Sequence, residues 1–410
     1  MKQPAESSGN NTPSIRHEPP CVACGLPGGA EKPHATHGGS HELSGRGAAL
    51  FLSPEAPVPG AGGGGLRSAS LLAYLRAKYE VTVAGFTVPY HSRSPMARLW
   101  RNGWRLVRGV PPLLDRFAGF ETQLDPWLTG RRYSVGIVEH FWCAPYGAAL
   151  RPHCDRLVLD LHNIESELAR THASATRGLT SIAGRRFAAA YRKLEREWIP
   201  KFDLVLAASE EDARRIAHPD ICVYPNALPE IERPVKPERN CIAFSGNLEY
   251  HPNVEAVRWF RSRIWPRVRE RCPGVEWRLI GRNEHAVKEM VAGDDRITMT
   301  GAVDDAVACI AEAKVCVVPL LSGSGTRFKI LEAWAAERAV VSTSIGVEGL
   351  GARDGEQLLI ADDPAAFADA IVRLLGDDVL RRRLGQSGRA LYLDRFTWRA
   401  AWRKLEEAGL

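Results

Sequence analysis

A glycine-rich stretch, two cations and one carboxylate lie close together late in the chain. Residues 322–326 read Ser-Gly-Ser-Gly-Thr, and Arg327, Lys329 and Glu332 follow at the start of a helical pattern. Backbone amides at a helix start bind phosphate oxygens, glycines allow close approach, and Arg and Lys add positive charge. A carboxylate further along the helix can accept hydrogen bonds from vicinal hydroxyls such as those of a ribose. The stretch therefore predicts a nucleotide-like ligand, with a solvated amphipathic helix as the alternative interpretation.

A run of glycines follows the first apolar segment of the chain. Residues 60–65 read GAGGGG, and Arg67 lies in the amphipathic segment that comes next. The run lacks the spacing of a dinucleotide-binding fingerprint, so a flexible turn is the alternative interpretation. Its place between a strand and a helix favours a phosphate-binding loop, with Gly63 and Gly64 as contacts and Arg67 facing the ligand.

Polar side chains also follow two predicted strands. Glu139 and His140 end one apolar run, and His162 and Asn163 end the next. Carboxyl ends of parallel strands meet at the ligand crevice, so we expect all four residues at the cleft. His162 is the candidate catalytic residue, because an imidazole changes charge near neutral pH, although a lone histidine is commonly structural. Glu139, His140 and Asn163 are candidates for lining an acceptor pocket, and the alternative is that they are ordinary polar strand ends. Glu165 is either a further candidate for this pocket or a charge that complements a helix dipole.

Short apolar runs alternate with longer amphipathic segments from residue 48 onward. This is the pattern of parallel sheets covered by helices. Eleven strands are predicted, six in a first unit and five in a second: 48–53, 80–86, 133–140, 156–162, 203–209 and 221–227, then 241–247, 277–281, 297–301, 315–320 and 339–344. The predicted fold class is α/β, with two Rossmann-like domains that face each other across a cleft and are closed by C-terminal helices.

Composition divides the chain into five predicted parts. Gly, Pro, Ser and His dominate the start, which is typical of disorder, and a Pro- and Glu-containing segment precedes the second unit as a linker would. The parts are a disordered extension (1–47), an N-terminal domain (48–227), a linker (228–240), a C-terminal domain (241–375) and C-terminal helices (376–410), the last packing back on the N-terminal domain.

The overall composition limits the classes of partner and the location. The 410 residues carry a formal charge of +6, which suits an anionic small molecule or membrane surface, and no nucleic-acid recognition motif accompanies it. No apolar run approaches the roughly 18 to 20 residues of a membrane span, and no secretory signal opens the chain. We therefore expect a cytoplasmic protein that binds no nucleic acid.

One pair of cysteines has the spacing of half a zinc site. Cys21 and Cys24 are followed by His34 and His37, but the histidines lack the usual spacing and no apolar residues nearby would form a supporting core. We expect no metal there or elsewhere.

A segment between the second and third predicted strands combines arginine with tryptophan. In a helix its members form two stripes, one of Arg98, Arg101, Arg105 and Arg108 and one of Trp100, Trp104 and Val107. Basic faces bordered by tryptophan suit an anionic membrane surface, which predicts a peripheral association with the inner face of the cell membrane. The alternative is an ordinary surface helix that packs its tryptophans into the domain.

Four stretches of the chain resemble segments of one protein family in the same order. They are FLSPEAPVPGAGGGGLRSASLLAYLRAKYEVTVAGF, LDLHNIESELA, AFSGNLEYHPNVEAVRWFRSRIWPRV and PLLSGSGTRFKILEAWAAERAVVSTSIGVEGL. The family is the group 1, or family 4, glycosyltransferases of the GT-B fold. The resemblance implies a retaining transferase that moves a sugar from a nucleoside-diphosphate sugar to a saccharide or lipid-linked acceptor, in exopolysaccharide or envelope glycan assembly and without a cofactor. It also implies that the N-terminal domain binds the acceptor and the C-terminal domain the donor.

The resemblance assigns roles to the late motif. The family's glutamate that holds the donor ribose maps to Glu332, and Arg327 and Lys329 would stabilise the diphosphate as the leaving group gains charge. The family motif is often written with a second glutamate eight positions earlier, where this chain has Ser324. A carboxylate contact with the donor sugar is therefore not expected at that position.

Other donor contacts follow from the same resemblance. The backbone and Thr326 would take over the contact that the missing glutamate makes, and Gly325 and Thr326 would bind phosphate. Gly246 and Asn247 stand where relatives hold phosphate. The family places a histidine against the donor sugar near His162. Two other classes stay open: a nucleotide-sugar epimerase on the same fold, and a non-catalytic binding protein with a degenerate donor site.

Overall fold

The computed structural model describes residues 46–54, 63–88, 94–175, 178–322 and 327–410. Several predicted features lie outside these ranges. They are nearly all of the N-terminal extension, the candidate zinc ligands Cys21, Cys24, His34 and His37, and the loop positions Ser324, Gly325 and Thr326.

Six parallel strands form the first sheet. They are β1 (Ala48–Leu52), β2 (Glu80–Ala84), β3 (Tyr133–Glu139), β4 (Cys154–Asp160), β5 (Leu204–Ala207) and β6 (Ile221–Val223), in the spatial order β2-β1-β3-β4-β5-β6. The central strands are continuous apolar runs because helices cover both faces of the sheet. The chain steps from β1 to β2 on one side and then places β3 on the other side of β1, so the order reverses between β1 and β3.

Six more parallel strands form the second sheet. They are β7 (Arg239–Ser245), β8 (Glu276–Ile280), β9 (Ile297–Met299), β10 (Ala313–Val318), β11 (Ala339–Ser342) and β12 (Leu359–Ile360), in the order β12-β11-β10-β7-β8-β9. Here the order reverses between β7 and β10. A ligand crevice is expected at each reversal, outside the carboxyl ends of the strands.

Helices connect the strands and cover the sheets. Those of the N-terminal half are α1 (Gly63–Lys78), α2 (Pro95–Arg108), α3 (Pro112–Arg116), α4 (Asp125–Leu128), α5 (Gly147–Leu150), α6 (Glu165–Ala175), α7 (Leu179–Trp198) and α8 (Glu210–Ala213). The rest are α9 (His251–Trp259), α10 (Trp265–Arg271), α11 (Lys288–Val291), α12 (Ala306–Ile310), α13 (Phe328–Ala335), α14 (Pro364–Gly376), α15 (Asp378–Arg395) and α16 (Trp398–Glu407). A π-helical turn joins α9 to α10 next to Pro266, whose ring nitrogen has no hydrogen to donate.

The C-terminal helices connect the two halves. Helix α15 packs on α13 of the second half, whereas Ala401 and Leu405 of α16 share a buried core with Phe51 of β1. The Tyr74 hydroxyl of α1 donates a hydrogen bond to the carbonyl of Leu410 (2.6 Å). The last helix thus completes the core of the first sheet rather than the second.

The predicted fold class is confirmed, and each of the eleven predicted strands is present. Most strands end two to four residues earlier than predicted, because the terminal polar residues belong to loops at the cleft. Strand β12 was missed because it is only two residues long, and β7 begins at Arg239, inside the segment predicted as a linker. In the described ranges, no helix has both the length and the apolar content to cross a bilayer.

Candidate active site

The candidate residues lie at the two reversals of strand order. Gly246 and Ser322 follow β7 and β10 of the second sheet, and the glycine run and Glu139 follow or end β1 and β3 of the first. These are the positions where parallel α/β sheets open a crevice at the carboxyl ends of their strands. The topology therefore collects in space the residues that the sequence places far apart.

Lys329 lies directly against the turn after β7. Its ammonium group donates a hydrogen bond to Asn253 Oδ1 at 3.0 Å. A Cβ built on Gly246 would lie 3.1 Å from Lys329 Nζ, and Gly246 has a φ of 143°, which side-chain-bearing residues rarely adopt. The glycine thus leaves the backbone open at the point where the lysine charge is closest.

Glu332 lies one helical turn beyond Lys329 on α13. Its carboxylate accepts a hydrogen bond from the Ser245 hydroxyl at 2.9 Å. Burial raises the pKa of Glu332 above its usual value, although Ser245 and Lys329 oppose the shift. Burial likewise lowers the pKa of Lys329 to about 8, with Glu332 acting in the opposite direction. The two groups are desolvated charges beside one backbone turn, which is the arrangement of a binding site for an anion with neighbouring hydroxyls.

Two further donor candidates make protein contacts. Arg327 caps the start of α13, is buried, and donates a hydrogen bond to the carbonyl of Ile345 at 3.2 Å. Burial lowers its pKa. Asn247 uses its Oδ1 to accept from the Glu249 amide and from Asn283 Nδ2. Its side-chain oxygen thus stabilises the turn, and the donor contact expected of Asn247 stays a prediction.

Arg67 does not face a ligand, contrary to the expectation from the sequence. Its side chain is 1% exposed and donates hydrogen bonds to both carboxylate oxygens of Asp160, to Asn226 Oδ1 and to the Tyr224 carbonyl. Helix α1 begins at Gly63, so Arg67 lies one turn inside and points into the core between α1 and the sheet. It is a buried structural cation.

His162 lies beside the glycine run. A Cβ built on the exposed Gly64 would lie 3.4 Å from His162 Nδ1, so the glycine leaves that nitrogen uncovered. The other nitrogen, Nε2, points inward, 3.3 Å from Asp160 Oδ2 and 3.6 Å from Glu139 Oε1. The structure thus brings Gly64 and His162 together, as the sequence predicted, and adds two carboxylates beneath the imidazole.

Glu139 and His140 occupy different environments. Glu139 is 0% exposed, so it does not line an open acceptor pocket as expected; it ends a strand whose last residue still lies in the core. His140 has a φ of 64° and stacks between Trp142 and His162, with ring centroids 4.1 and 3.7 Å away. Burial and the neighbouring His162 lower the pKa of His140 well below its usual value. His140 is therefore the neutral member of the stacked pair.

Glu139, Asp160 and His162 also have the spacing of a metal site. One atom from each lies within 4.8 Å of the others. The Arg67 guanidinium already donates to both oxygens of Asp160, however, so a divalent ion at this carboxylate would face a buried positive charge. The residues present fit a proton on His162 better than a metal ion.

A cavity of about 200 Å³ lies between the two halves. Asn163 and residues of α6 line it from the first half, and Ser322, Ile345 and Glu348 from the second. Of the acceptor candidates, Asn163 is thus the one with a place in an open cavity. Glu165 starts α6, is buried, and has its pKa raised to about 7 by burial and by Glu195.

Three residues of the site were missed from the sequence. Ser245 holds Glu332, Asn253 holds Lys329, and Asp160 joins Arg67 to His162. Asp160 precedes His162 by two residues at the end of the same strand, and that spacing was a usable signal. Asn253 lies in the first turn of α9, and only the tertiary structure brings it to a lysine 76 residues away.

Comparisons with known proteins agree with this geometry. Residues 239–377 match the family model of group 1 glycosyl transferases. The phosphatidyl-myo-inositol mannosyltransferase of Mycobacterium leprae is 35% identical over 139 residues, which cover 32% of this chain and 37% of that protein. The chain therefore matches little more than a third of this curated relative's length.

Solved structures match over nearly the whole chain. Sucrose-phosphate synthase from Thermosynechococcus elongatus has a TM-score of 0.66 at 19% identity, covering 88% of this chain and 98% of its own. The Anabaena protein HepE in complex with UDP-glucose has a TM-score of 0.60 at 15% identity, covering 88% and 99%. At these identities the likeness concerns the fold.

Two parallel sheets, each with its strand order reversed at the candidate site, define a two-domain protein of the GT-B type. Residues 239–377 form a domain of the group 1 glycosyl transferases, and the chain as a whole is similar in fold to proteins of this type. The resemblance read from the sequence is thereby confirmed.

Proposed function

We propose that the protein is a retaining glycosyltransferase that moves a sugar from a nucleoside-diphosphate sugar to a saccharide or lipid-linked acceptor. The observation that carries the proposal is the desolvated Lys329–Glu332 pair beside the Gly246 turn. It offers one cation and one carboxylate at the spacing of one helical turn, which suits a diphosphate and the ribose next to it. The complex of HepE with UDP-glucose, a structure of the same fold, supports this class of donor.

The residues take the following roles in this proposal. Glu332, held by Ser245, accepts hydrogen bonds from the ribose hydroxyls. Lys329, held by Asn253, lies where negative charge builds on the diphosphate as the bond to the sugar breaks. Arg327 shapes the start of α13 and adds positive charge at the same helix end. Retention of the anomeric configuration is proposed on the resemblance to the family alone.

Paired variants test the donor site. Glu332→Gln and Lys329→Met should each reduce acceptor-dependent release of nucleotide by about 100-fold or more, as expected for removal of a group that stabilises the transition state. Lys288→Met and Glu289→Gln on α11 are matched controls, because both side chains are exposed and lie outside the site. Normal turnover of Glu332→Gln and Lys329→Met would exclude the assigned roles.

The same assay separates the alternative classes. Release of nucleotide only when an acceptor is present supports transfer. Isomerisation of the donor sugar without acceptor would indicate an epimerase, and stabilisation by donors without any turnover would indicate a binding protein. A panel of nucleotide sugars, read first by thermal shift, selects the donor for these measurements.

We further propose that α2 docks on an anionic membrane, where a lipid-linked acceptor would be found. The helix is inverted relative to an ordinary surface helix: Trp100 is 73% and Trp104 56% exposed, whereas Arg105 is 8% exposed and paired with Asp115 at 2.8 Å. The alternative read from the sequence, with tryptophans packed into the domain, is therefore wrong. The outward apolar face also includes Met96, Leu99 and Val107.

Charge favours a membrane as the partner of this face. Helix α2 carries four arginines and no acidic residue, and Asp115 of α3 forms ion pairs with Arg105 and Arg108. A helix with aromatic residues on one face and basic residues on the other binds at the interface of anionic lipids. The lipid substrate in the name of the mycobacterial relative agrees with such a location.

Vesicle co-sedimentation tests the docking face. The protein should bind phosphatidylglycerol-containing vesicles at low salt and bind less at high salt, because the basic charges are screened. Trp100→Ser with Trp104→Ser should abolish binding, whereas Val379→Ser, an equally exposed apolar position on α15, should not. Equal binding of the tryptophan double variant, or no binding of the wild type to anionic vesicles, would contradict the proposal.

A further inference from the structure

Four ionisable side chains meet beneath the cleft at the ends of β3 and β4. They are Glu139 at the end of β3, Asp160 at the end of β4, His162 two residues later and Arg67 on α1. All four are buried. Charges in such an environment must be balanced within the cluster, because water does not screen them.

The contacts divide the cluster into two parts. Asp160 is compensated by Arg67, which donates to both carboxylate oxygens, with the shortest contact 2.5 Å. Glu139 has no hydrogen-bond partner for either oxygen among the residues that the structure describes. The nearest group that can balance Glu139 is His162, whose Nε2 lies 3.6 Å from Oε1.

A proton on His162 would make the positive and negative charges of the cluster equal in number. Arg67 and a protonated His162 carry two positive charges against the two carboxylates, whereas a neutral imidazole would leave one buried negative charge unpaired. Burial disfavours a charged imidazole, but Asp160 and Glu139 outweigh burial and raise the pKa of His162. The other ionisable groups near this imidazole are His140, whose pKa is lowered, and Glu165, which starts the next helix.

We propose that Glu139 is a positioning residue that holds His162 as an imidazolium with its Nδ1–H presented past Gly64 to the substrate. Nε2 is held inward by the two carboxylates, and Nδ1 lies on the side of exposed Gly64, where a side chain would cover it. The cleft then holds a fixed cation on the N-terminal side, opposite Lys329 on the C-terminal side. The identity of the ligand, an oxygen of the nucleotide-sugar donor, rests on the proposed function; the protonation of His162 does not.

The protonation state is measured on the full-length protein without any substrate. In ¹⁵N-labelled protein, the His162 imidazole resonances, assigned by their loss in His162→Gln, should report a ring that keeps its proton to a higher pH than an exposed histidine does. In Glu139→Gln the proton should be lost at lower pH, so that the ionisation constant changes by about tenfold or more. Glu139→Asp should restore part of the shift because it keeps the carboxylate.

Kinetics provide a second readout. In Glu139→Gln, kcat/KM at pH 8 relative to pH 6 should fall several-fold below the wild-type ratio, since earlier loss of the His162 proton adds to the alkaline decline that Lys329 causes in both proteins. A purely structural role of Glu139 would lower stability and leave the shape of the pH profile unchanged.

Three results would overturn the proposal. They are a neutral His162 at pH 7 in the wild type, an imidazole titration unmoved by Glu139→Gln, and stoichiometric zinc or manganese retained at this cluster after purification and lost in Glu139→Gln. Absence of transferase activity with a protonated His162 would instead count against the proposed function alone.

Discussion

Lys329 should make donor binding depend on pH in a range where other lysines do not titrate. Burial lowers the pKa of Lys329 to about 8 in the free protein. A bound diphosphate stabilises the protonated ammonium, so the donor binds the protonated form. Above the free-protein pKa, binding must first add a proton to this lysine, and the apparent affinity falls as pH rises.

The magnitude follows from this pKa of about 8. The apparent dissociation constant scales with one plus the ratio of neutral to protonated lysine, so it should rise about tenfold between pH 7 and pH 9. That corresponds to about 1.4 kcal/mol of binding free energy. The sign is set by the lowered pKa: affinity is fully present below the free-protein pKa and decreases above it.

Calorimetric titration with a nucleotide sugar measures this dependence directly. A nucleotide sugar is preferable to a free nucleotide, because its bridged diphosphate keeps the same charge across the range. Lys329→Arg is the control: its guanidinium stays protonated, so the pH step should disappear even if the affinity itself changes. A wild-type affinity constant from pH 7 to pH 9, or the same slope in Lys329→Arg, would refute the reasoning.

Three stability predictions follow from other parts of the fold. Gly388→Ala should destabilise the protein by about 1–3 kcal/mol in denaturant titrations, because the new Cβ would overlap the fully buried Trp334 ring. Gly376→Ala is the control: it has open space around it and should be neutral or slightly stabilising. Glu165→Gln should stabilise the protein by roughly 3 kcal/mol at pH 8 and by much less at pH 4. The Glu165 carboxyl has a pKa raised to about 7 in the folded state, so the wild-type protein loses stability as pH rises from the pKa of the unfolded state towards 7. Identical gains at both pH values would contradict this. Asp160→Asn should cost about 3–5 kcal/mol by leaving a buried guanidinium unpaired, and a change below 1 kcal/mol would show that water reaches the pair.

Much of the donor side was predictable because its residues are close in sequence. Lys329 and Glu332 are three residues apart, so any helix over this segment places them on one face. Gly246 comes directly after an apolar run. A turn at the end of a strand often needs a positive φ, as Gly246 has here, and glycine adopts such a φ readily. The contact of Asn247 with Asn283 was not predictable, because Asn283 comes from a different loop 36 residues away.

On the acceptor side, the sequence patterns did not predict which charged residues are buried. Both Arg67 and Glu139 were expected at a surface because they are charged and follow glycines or a strand. The structure buries both in a cluster drawn from α1, β3 and β4, where Arg67 is paired with Asp160 and Glu139 lies 3.6 Å from His162 Nε2. A charged residue's burial depends on whether counter-charges reach it, and this is a property of the packed structure rather than of the local segment.

The sequence by itself determined the α/β class, eleven of the twelve strands found in the described ranges and the family resemblance, because apolar periodicity and short motifs act within a few residues. Only the tertiary structure decided which face of α2 points outward and which carboxylates lie beneath His162. The physical reason is the same in each case. Arg105 of α2 turns inward because Asp115 is available there, and Glu139 and Asp160 lie together beneath His162 because they are paired on the neighbouring strands β3 and β4. Such contacts join residues distant in sequence, and no local pattern encodes the meeting of the two.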